Sequence, residues 1–156
     1  LEGLTAESGQ FAHGQSHRIL ALPYQDISVG PFICYESIFP EITRELTLLG
    51  ADILVNTTND AWFGQTAAPY QHFAMSIIRA VETGRTVVRA ANTGISGVIQ
   101  PSGRIQYITG LEETATFVEE VSLHRETTFY TRFGNSILAL CILALGLGEW
   151  KRYSDA

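Results

Sequence analysis

The chain has 156 residues, with 16 acidic against 10 basic side chains and a net charge of −6. That length holds one domain with a real core, and an acidic balance without a Lys/Arg cluster excludes a nucleic-acid surface. Two cysteines far apart, Cys34 and Cys141, with no CxxC or His-rich spacing, give neither a disulfide framework nor a metal site.

The chain opens on Leu1 rather than Met, as a piece of a longer protein does, and shows no signal-peptide pattern. Residues 1–16 are small and polar and read as a loop. Strands are expected at 18–22 and 26–34, with Pro31 marking an edge or a bulge in the second. A helix over 38–49 has apolar residues at 38, 42, 46 and 49 and ends at Gly50. The run 51–55, ADILV, suits a buried strand, and 56–68 reads as a loop. A long helix follows at 69–83, with Phe73, Ile77, Ala80 and Val81 on one face and Gly84 as its stop. A strand at 86–90 leads to a hairpin, 94–100 with 104–108, turning at Pro101-Ser102-Gly103. A last strand is expected at 115–121. Helices alternate with strands, then strands meander, which predicts an α/β layered sheet.

The apolar excess, 46% hydrophobic overall, collects at the C-terminus. Residues 137–148, ILALCILALGLG, carry no charge. Extended to 133–150 the run has eighteen residues, about 27 Å as a helix, close to the thickness of a bilayer core. Trp150 and Tyr153 suit an interface and Lys151-Arg152 follow, so a transmembrane helix with a cytoplasmic C-terminus is expected. A buried core helix is the other reading. Cys141 lies within this run and reads as inert.

Cys34 stands where a strand hands over to a helix. Ligands gather beyond the carboxyl ends of strands in α/β sheets. Helix N-terminal amides there lower a thiol's pKa and hold an oxyanion. A lone Cys after an apolar run is also a good small hydrophobe, and position alone leaves both readings open. Glu36 is placed to accept amide hydrogen bonds or to orient a neighbour. No GxSxG elbow is present, and none of His13, His17, His72 and His124 has a local signature tying it to Cys34.

Four further segments accompany CYESIFPE at 34–41. They are NTTNDAWFG at 56–64, RAVETGR at 79–85, RAANTGIS at 89–96 and YTRFGN at 130–135. In this order they resemble the carbon–nitrogen hydrolase (nitrilase) superfamily, and within it the bacterial apolipoprotein N-acyltransferase family. The likeness runs from about residue 26 to residue 152. It implies a nitrilase-like αββα sandwich, with 1–130 as the C-terminal part of the catalytic domain. Residues 131–156 would be the transmembrane helix and a short tail. The implied site is on the outer, periplasmic face of the bacterial cytoplasmic membrane, without metal or cofactor. The implied chemistry uses a Glu-Lys-Cys triad. Cys34 takes an acyl chain from a phospholipid as a thioester, and the chain passes to the N-terminal amine of an apolipoprotein.

By the same resemblance Tyr35 and Glu36 serve activity, against a packed Tyr and a helix-capping Glu. Trp62 and Phe63 form a lid or a lipid-facing loop, or fold back onto the core. Arg79, Glu82 and Arg89 read as ion pairs buttressing the site rather than as substrate ligands. Asn92 and Gly94 read as turn-formers that tolerate left-handed geometry. The family's Glu and Lys lie upstream of the Cys, and the chain departs from this. The 33 residues before Cys34 hold no lysine, Lys151 is the only one in the chain, and Glu2 and Glu7 match no motif. The chain is therefore expected to carry the nucleophile without its base or its cation, to be inactive alone, and to expose half of a sandwich. Two competing readings are a soluble nitrilase-type amidase acting on small amides, with the apolar run at a subunit interface, and a non-catalytic membrane-anchored domain.

Overall fold

The computed structural model describes residues 14–154. Most of the expected N-terminal loop, with Glu2, Glu7 and His13, lies outside the described residues, as do the side chains of Trp150, Lys151, Arg152 and Tyr153. The elements are β1 (Leu20–Leu22), β2 (Ile27–Ile33), α1 (Pro40–Leu48), β3 (Ile53–Asn59), α2 (Ala68–Thr83), β4 (Thr86–Asn92), β5 (Gly97–Ile99), β6 (Ile105–Ile108), α3 (Phe129–Phe133) and α4 (Ser136–Ser154). The six strands form one sheet in sequence order. β2, β3 and β4 run parallel, joined by the crossover helices α1 and α2, while β1, β5 and β6 pair antiparallel at the two sides.

Alternation along the strands decides which face is buried. Gly30, Phe32, Leu54, Asn56, Thr58, Val87 and Arg89 point to the helical face and are buried. Phe32, Leu46, Ala51, Leu54, Phe73, Ala80, Val87, Ile95 and Ile99 form the core between sheet and helices. The opposite face carries Val29, Pro31, Ile33, Ile53, Val55 and Val88, all half-buried or exposed. One α/β layer pair of the expected αββα sandwich is therefore present, and no second sheet occurs among the described residues. β1 pairs only with Ile27, Ser28 and Val29, so Pro31 sits past its end on a locally open edge, where a missing N–H does no harm.

Three expectations change. The strand expected at 115–121 is not a strand. Its chain makes side-chain contacts instead, with Phe117 stacked on Tyr107 and Gln106 donating to Glu119 and to the Glu120 carbonyl. β3 runs to Asn59, four residues past its apolar stretch, because its parallel ladder with β4 continues to Asn59↔Asn92. α2 buries Phe73 and Ala80 together with the polar His72, Ser76, Arg79 and Thr83, while Val81 is exposed.

The transmembrane expectation is also corrected. Among the described residues no helix is long and apolar enough to cross a membrane. Gly134, at φ 57, closes α3 before α4 begins at Ser136, so residues 133–135 do not lengthen the helix. Glu149, Lys151 and Arg152 charge its other end. The uncharged stretch between is twelve residues, about 18 Å, against the roughly 30 Å of a hydrocarbon core. Leu138, Leu140, Ile142, Leu143, Leu145 and Leu147 are all exposed, so α4 does not pack on the sheet and is not a buried core helix either.

Candidate active site

β2 ends at Ile33, and Cys34 opens a short 3₁₀ turn, Cys34–Ile38, that leads into α1 through Pro40 at its first position. The handover is sharp. Cys34 has φ 49, a left-handed conformation that costs a non-glycine residue about 1–2 kcal/mol. Glu36 steadies the turn by accepting the Ile33 N–H at 2.6 Å. The carbonyl of Cys34 accepts two side-chain donors, Asn56 Nδ2 at 3.4 Å and His72 Nε2 at 3.2 Å. The Cys34 side chain is half-buried at the carboxyl edge of the parallel strands, and its thiol is free.

Beneath it lies a buried charged network. Arg89 is fully buried and makes bonds in several directions. Nη2 donates to Asp60 Oδ2 at 2.8 Å, Nη1 to Asn56 Oδ1 at 2.5 Å, and Nε to the Ile95 carbonyl at 3.1 Å. Asp60 Oδ1 accepts from Thr58 Oγ1 at 2.9 Å and lies 3.0 Å from His72 Nδ1. Burial pushes the Asp60 carboxyl up. The His72 hydrogen bond, the Arg89 charge and the Thr58 hydroxyl outweigh it and hold the pKa below the usual carboxylate range. Burial lowers the Arg89 pKa, opposed by Asp60 and by the thiolate form of Cys34.

The sequence-predicted residues fall into separate places. Tyr35 is exposed and faces the His72 ring at 6.0 Å, with Phe39 edge-on at 6.3 Å. Phe63, on a 3₁₀ turn at Ala61–Phe63, meets His72 edge-to-face at 5.7 Å, while Trp62 is exposed. Glu36 caps the turn. Arg79 and Glu82 pair at 2.9 Å further along α2, and Arg79 Nη1 donates to the Ile38 carbonyl at 3.4 Å, away from Cys34. That pair is poorly aligned: Arg79 Nε and Glu82 Oε2 lack a hydrogen-bond partner. Burial raises the Glu82 pKa against the pull of Arg79. Asn92 is exposed at the end of β4, where it donates to Asn59 Oδ1 at 3.4 Å. The left-handed residue of that turn is Thr93, at φ 58, and neither Asn92 nor Gly94. Gly94 is required for another reason: a Cβ there would lie 2.7 Å from Asp60 Cβ.

Asn56, Asp60 and His72 carry the network, and sequence reasoning assigned none of them. A signal existed for Asn56 and Asp60, which both stand in the NTTNDAWFG segment. The alternation that buries Leu54 also turns Asn56 inward, and the parallel register pairs it with Arg89. His72 had none, since nothing local ties a histidine on α2 to a cysteine 38 positions earlier.

A free thiol on a tight turn, at the carboxyl edge of parallel strands with a helical layer beneath, stands where α/β enzymes gather their ligands. The chain belongs to the carbon–nitrogen hydrolase family, whose pattern matches residues 3–130. Among curated proteins it is similar to the apolipoprotein N-acyltransferase of Geobacter metallireducens, 42% identical over 139 residues, which cover 89% of this chain and 26% of that protein. The apolipoprotein N-acyltransferase of Agrobacterium fabrum is 50% identical over 113 residues, covering 72% of this chain and 20% of its own length. The chain thus spans about a quarter of the length of the curated relatives it matches. Among solved structures, an amidase from Nesterenkonia sp. AN1 in complex with butyramide superposes with TM-score 0.53 at 23% identity, covering 67% of this chain and 41% of the amidase. That likeness concerns the fold.

Proposed function

We propose that this chain carries the nucleophile of an N-acyltransferase that moves a fatty acyl group from a phospholipid to the N-terminal amine of an apolipoprotein. The observation that carries the reading is Cys34 itself. Its thiol is free on a left-handed turn at the strand ends, and its backbone carbonyl is held by Asn56 and His72. Exposed apolar side chains accompany it: Tyr35, Phe39 and Trp62. A small polar amide needs no such surroundings, whereas an acyl chain gains about 0.8 kcal/mol per buried methylene.

The steps balance without a cofactor. The Cys34 thiolate attacks the ester carbonyl of the lipid. The ester C–O bond breaks, and the lysophospholipid leaves as its alcohol after taking a proton. The acceptor amine then attacks the thioester, the C–S bond breaks, and the thiolate returns as the amine proton passes to a base. The base and the oxyanion cation, the Glu and Lys that the resemblance implies, are proposed to come from outside these 156 residues, leaving the chain inactive alone. Glu36 supports the site by holding the turn, Tyr35 and Phe63 by fixing the ring of His72, and Trp62 by offering an apolar surface to the lipid. Arg79, Glu82 and Asn92 support the frame around it. The uncovered leucines of α4 favour a place beside a bilayer; that this is the bacterial cytoplasmic membrane, with the site on its outer face, is what the resemblance implies.

The test uses the full-length protein with phospholipid vesicles and a synthetic diacylglyceryl-cysteine peptide. Acylation of the peptide amine is expected. Hydrolysis of small amides without transfer from phospholipid would replace this reading with that of an amidase.

A further inference from the structure

The acyl-transfer scheme leaves one group unused, the buried histidine beneath the nucleophile. His72 is 4% exposed, and its ring is in contact with those of Tyr35 and Phe63. The carbonyl oxygen of Cys34 has no proton to give, so His72 Nε2, 3.2 Å away, carries the hydrogen and donates it. Nδ1 lies 3.0 Å from Asp60 Oδ1 and 3.0 Å from Arg89 Nη2, and it serves one of them at a time, donating to the carboxylate as an N–H or accepting from the guanidinium as a lone pair. Among the described residues no hydrogen bond joins His72 to the thiol. With Nε2 committed to a backbone carbonyl and Nδ1 to the Asp60–Arg89 pair, the ring is not arranged as a base for the sulfur.

We propose that His72 is a positioning residue: braced by Asp60 and Arg89, it grips the backbone carbonyl of Cys34 and keeps the left-handed turn that presents the thiol. This rests on the reading of Cys34 as the acyl-carrying nucleophile. Two features set it apart from ordinary burial of a histidine. The grip falls on the residue whose φ of 49 needs outside support. Asn56 grips the same carbonyl, and it too is held by Arg89, so both side-chain donors to Cys34 lead back to one guanidinium. The Phe63 contact also joins the aromatic turn at Ala61–Phe63 to the nucleophile through the same ring.

The test compares His72→Gln and His72→Asn in the full-length protein. The glutamine amide reaches about as far as Nε2 and still offers an N–H to the carbonyl, whereas the asparagine amide stops near Nδ1. Two rates are read: thioester formation from phospholipid vesicles, and alkylation of Cys34 by iodoacetamide. We expect the asparagine variant to lose about a hundred-fold in thioester formation at unchanged KM, the size of effect an ~1 Å misplacement produces. The glutamine variant should recover most of that rate, and alkylation of Cys34 should follow the same order. Equal rates in the two variants, or losses that track melting temperature alone, would overturn the proposal. If the unsubstituted protein forms no thioester, the acyltransferase reading fails, and alkylation alone decides the positioning role: a difference between the variants supports it and identical rates overturn it.

Discussion

Cys34 occupies a backbone conformation that glycine adopts without a Cβ clash. The proposed nucleophile gives a reason for a side chain there. Cys34→Gly should therefore be more stable than Cys34→Ala by about 1 kcal/mol in denaturant unfolding, although both lose the thiol; equal stability would mean the turn is unstrained. Arg89 is the opposite case, a charge whose removal strands its partner. Arg89→Met leaves a buried Asp60 carboxylate uncompensated and is expected to lower unfolding free energy by about 3–5 kcal/mol; a loss below about 1 kcal/mol would show the pair to be dispensable. The depressed Asp60 pKa sets a pH signature. Because the folded state favours the carboxylate, its contribution is present above the ordinary Asp pKa of about 4 and is lost as pH falls through the lower folded value. Melting temperature should drop in that acid range, and Asp60→Asn should flatten the drop; an unchanged acid limb would remove Asp60 from the account. Cys34 and the Asp60–Arg89 pair sit in motifs that the sequence displays. The grip of His72 does not, because it depends on where α2 lies against the β2 end.

Glycines show how tightly the elements meet. A Cβ at Gly30 would lie 2.9 Å from Ala51 Cβ and 3.1 Å from Leu46 Cβ, so β2 lies close under the end of α1 and under Ala51 just before β3. Gly94 plays the same part beside Asp60. Gly94→Ala has to displace the carboxylate, and the expected cost is about 1–3 kcal/mol, visible as a lowered melting temperature; a neutral effect would contradict the close approach. Element identity was legible wherever local pattern and long-range pairing agree: β2, α1, α2, β4 and the β5–β6 hairpin all follow the sequence pattern. It failed where pairing decides. Asn56 to Asn59 look like loop and become strand, because β4 offers a parallel ladder. Residues 115–121 hold the β-favouring Thr116, Phe117, Val118 and Val121 and find no ladder, so strand-forming composition alone does not make one. α4 shows a third cause. Its hydropathy was visible, but the turn at Gly134 and the charges at its end shorten the apolar length.

For the whole molecule, two surfaces are left without cover: the second face of the sheet, with Val29, Ile33, Val55 and Val88, and the leucines of α4. The first fits a domain completed by a further layer, as in the sandwich that the resemblance implies. The second fits a protein working beside lipid. Both follow from the view that this chain presents the acyl-carrying cysteine of a larger membrane-associated enzyme. The most direct measurement is intact-mass spectrometry of the full-length protein after incubation with phospholipid vesicles and no acceptor. The account predicts one added acyl group, released by neutral hydroxylamine as a thioester is, and absent from Cys34→Ala. No adduct on the active protein, or an adduct that survives in Cys34→Ala, would contradict it.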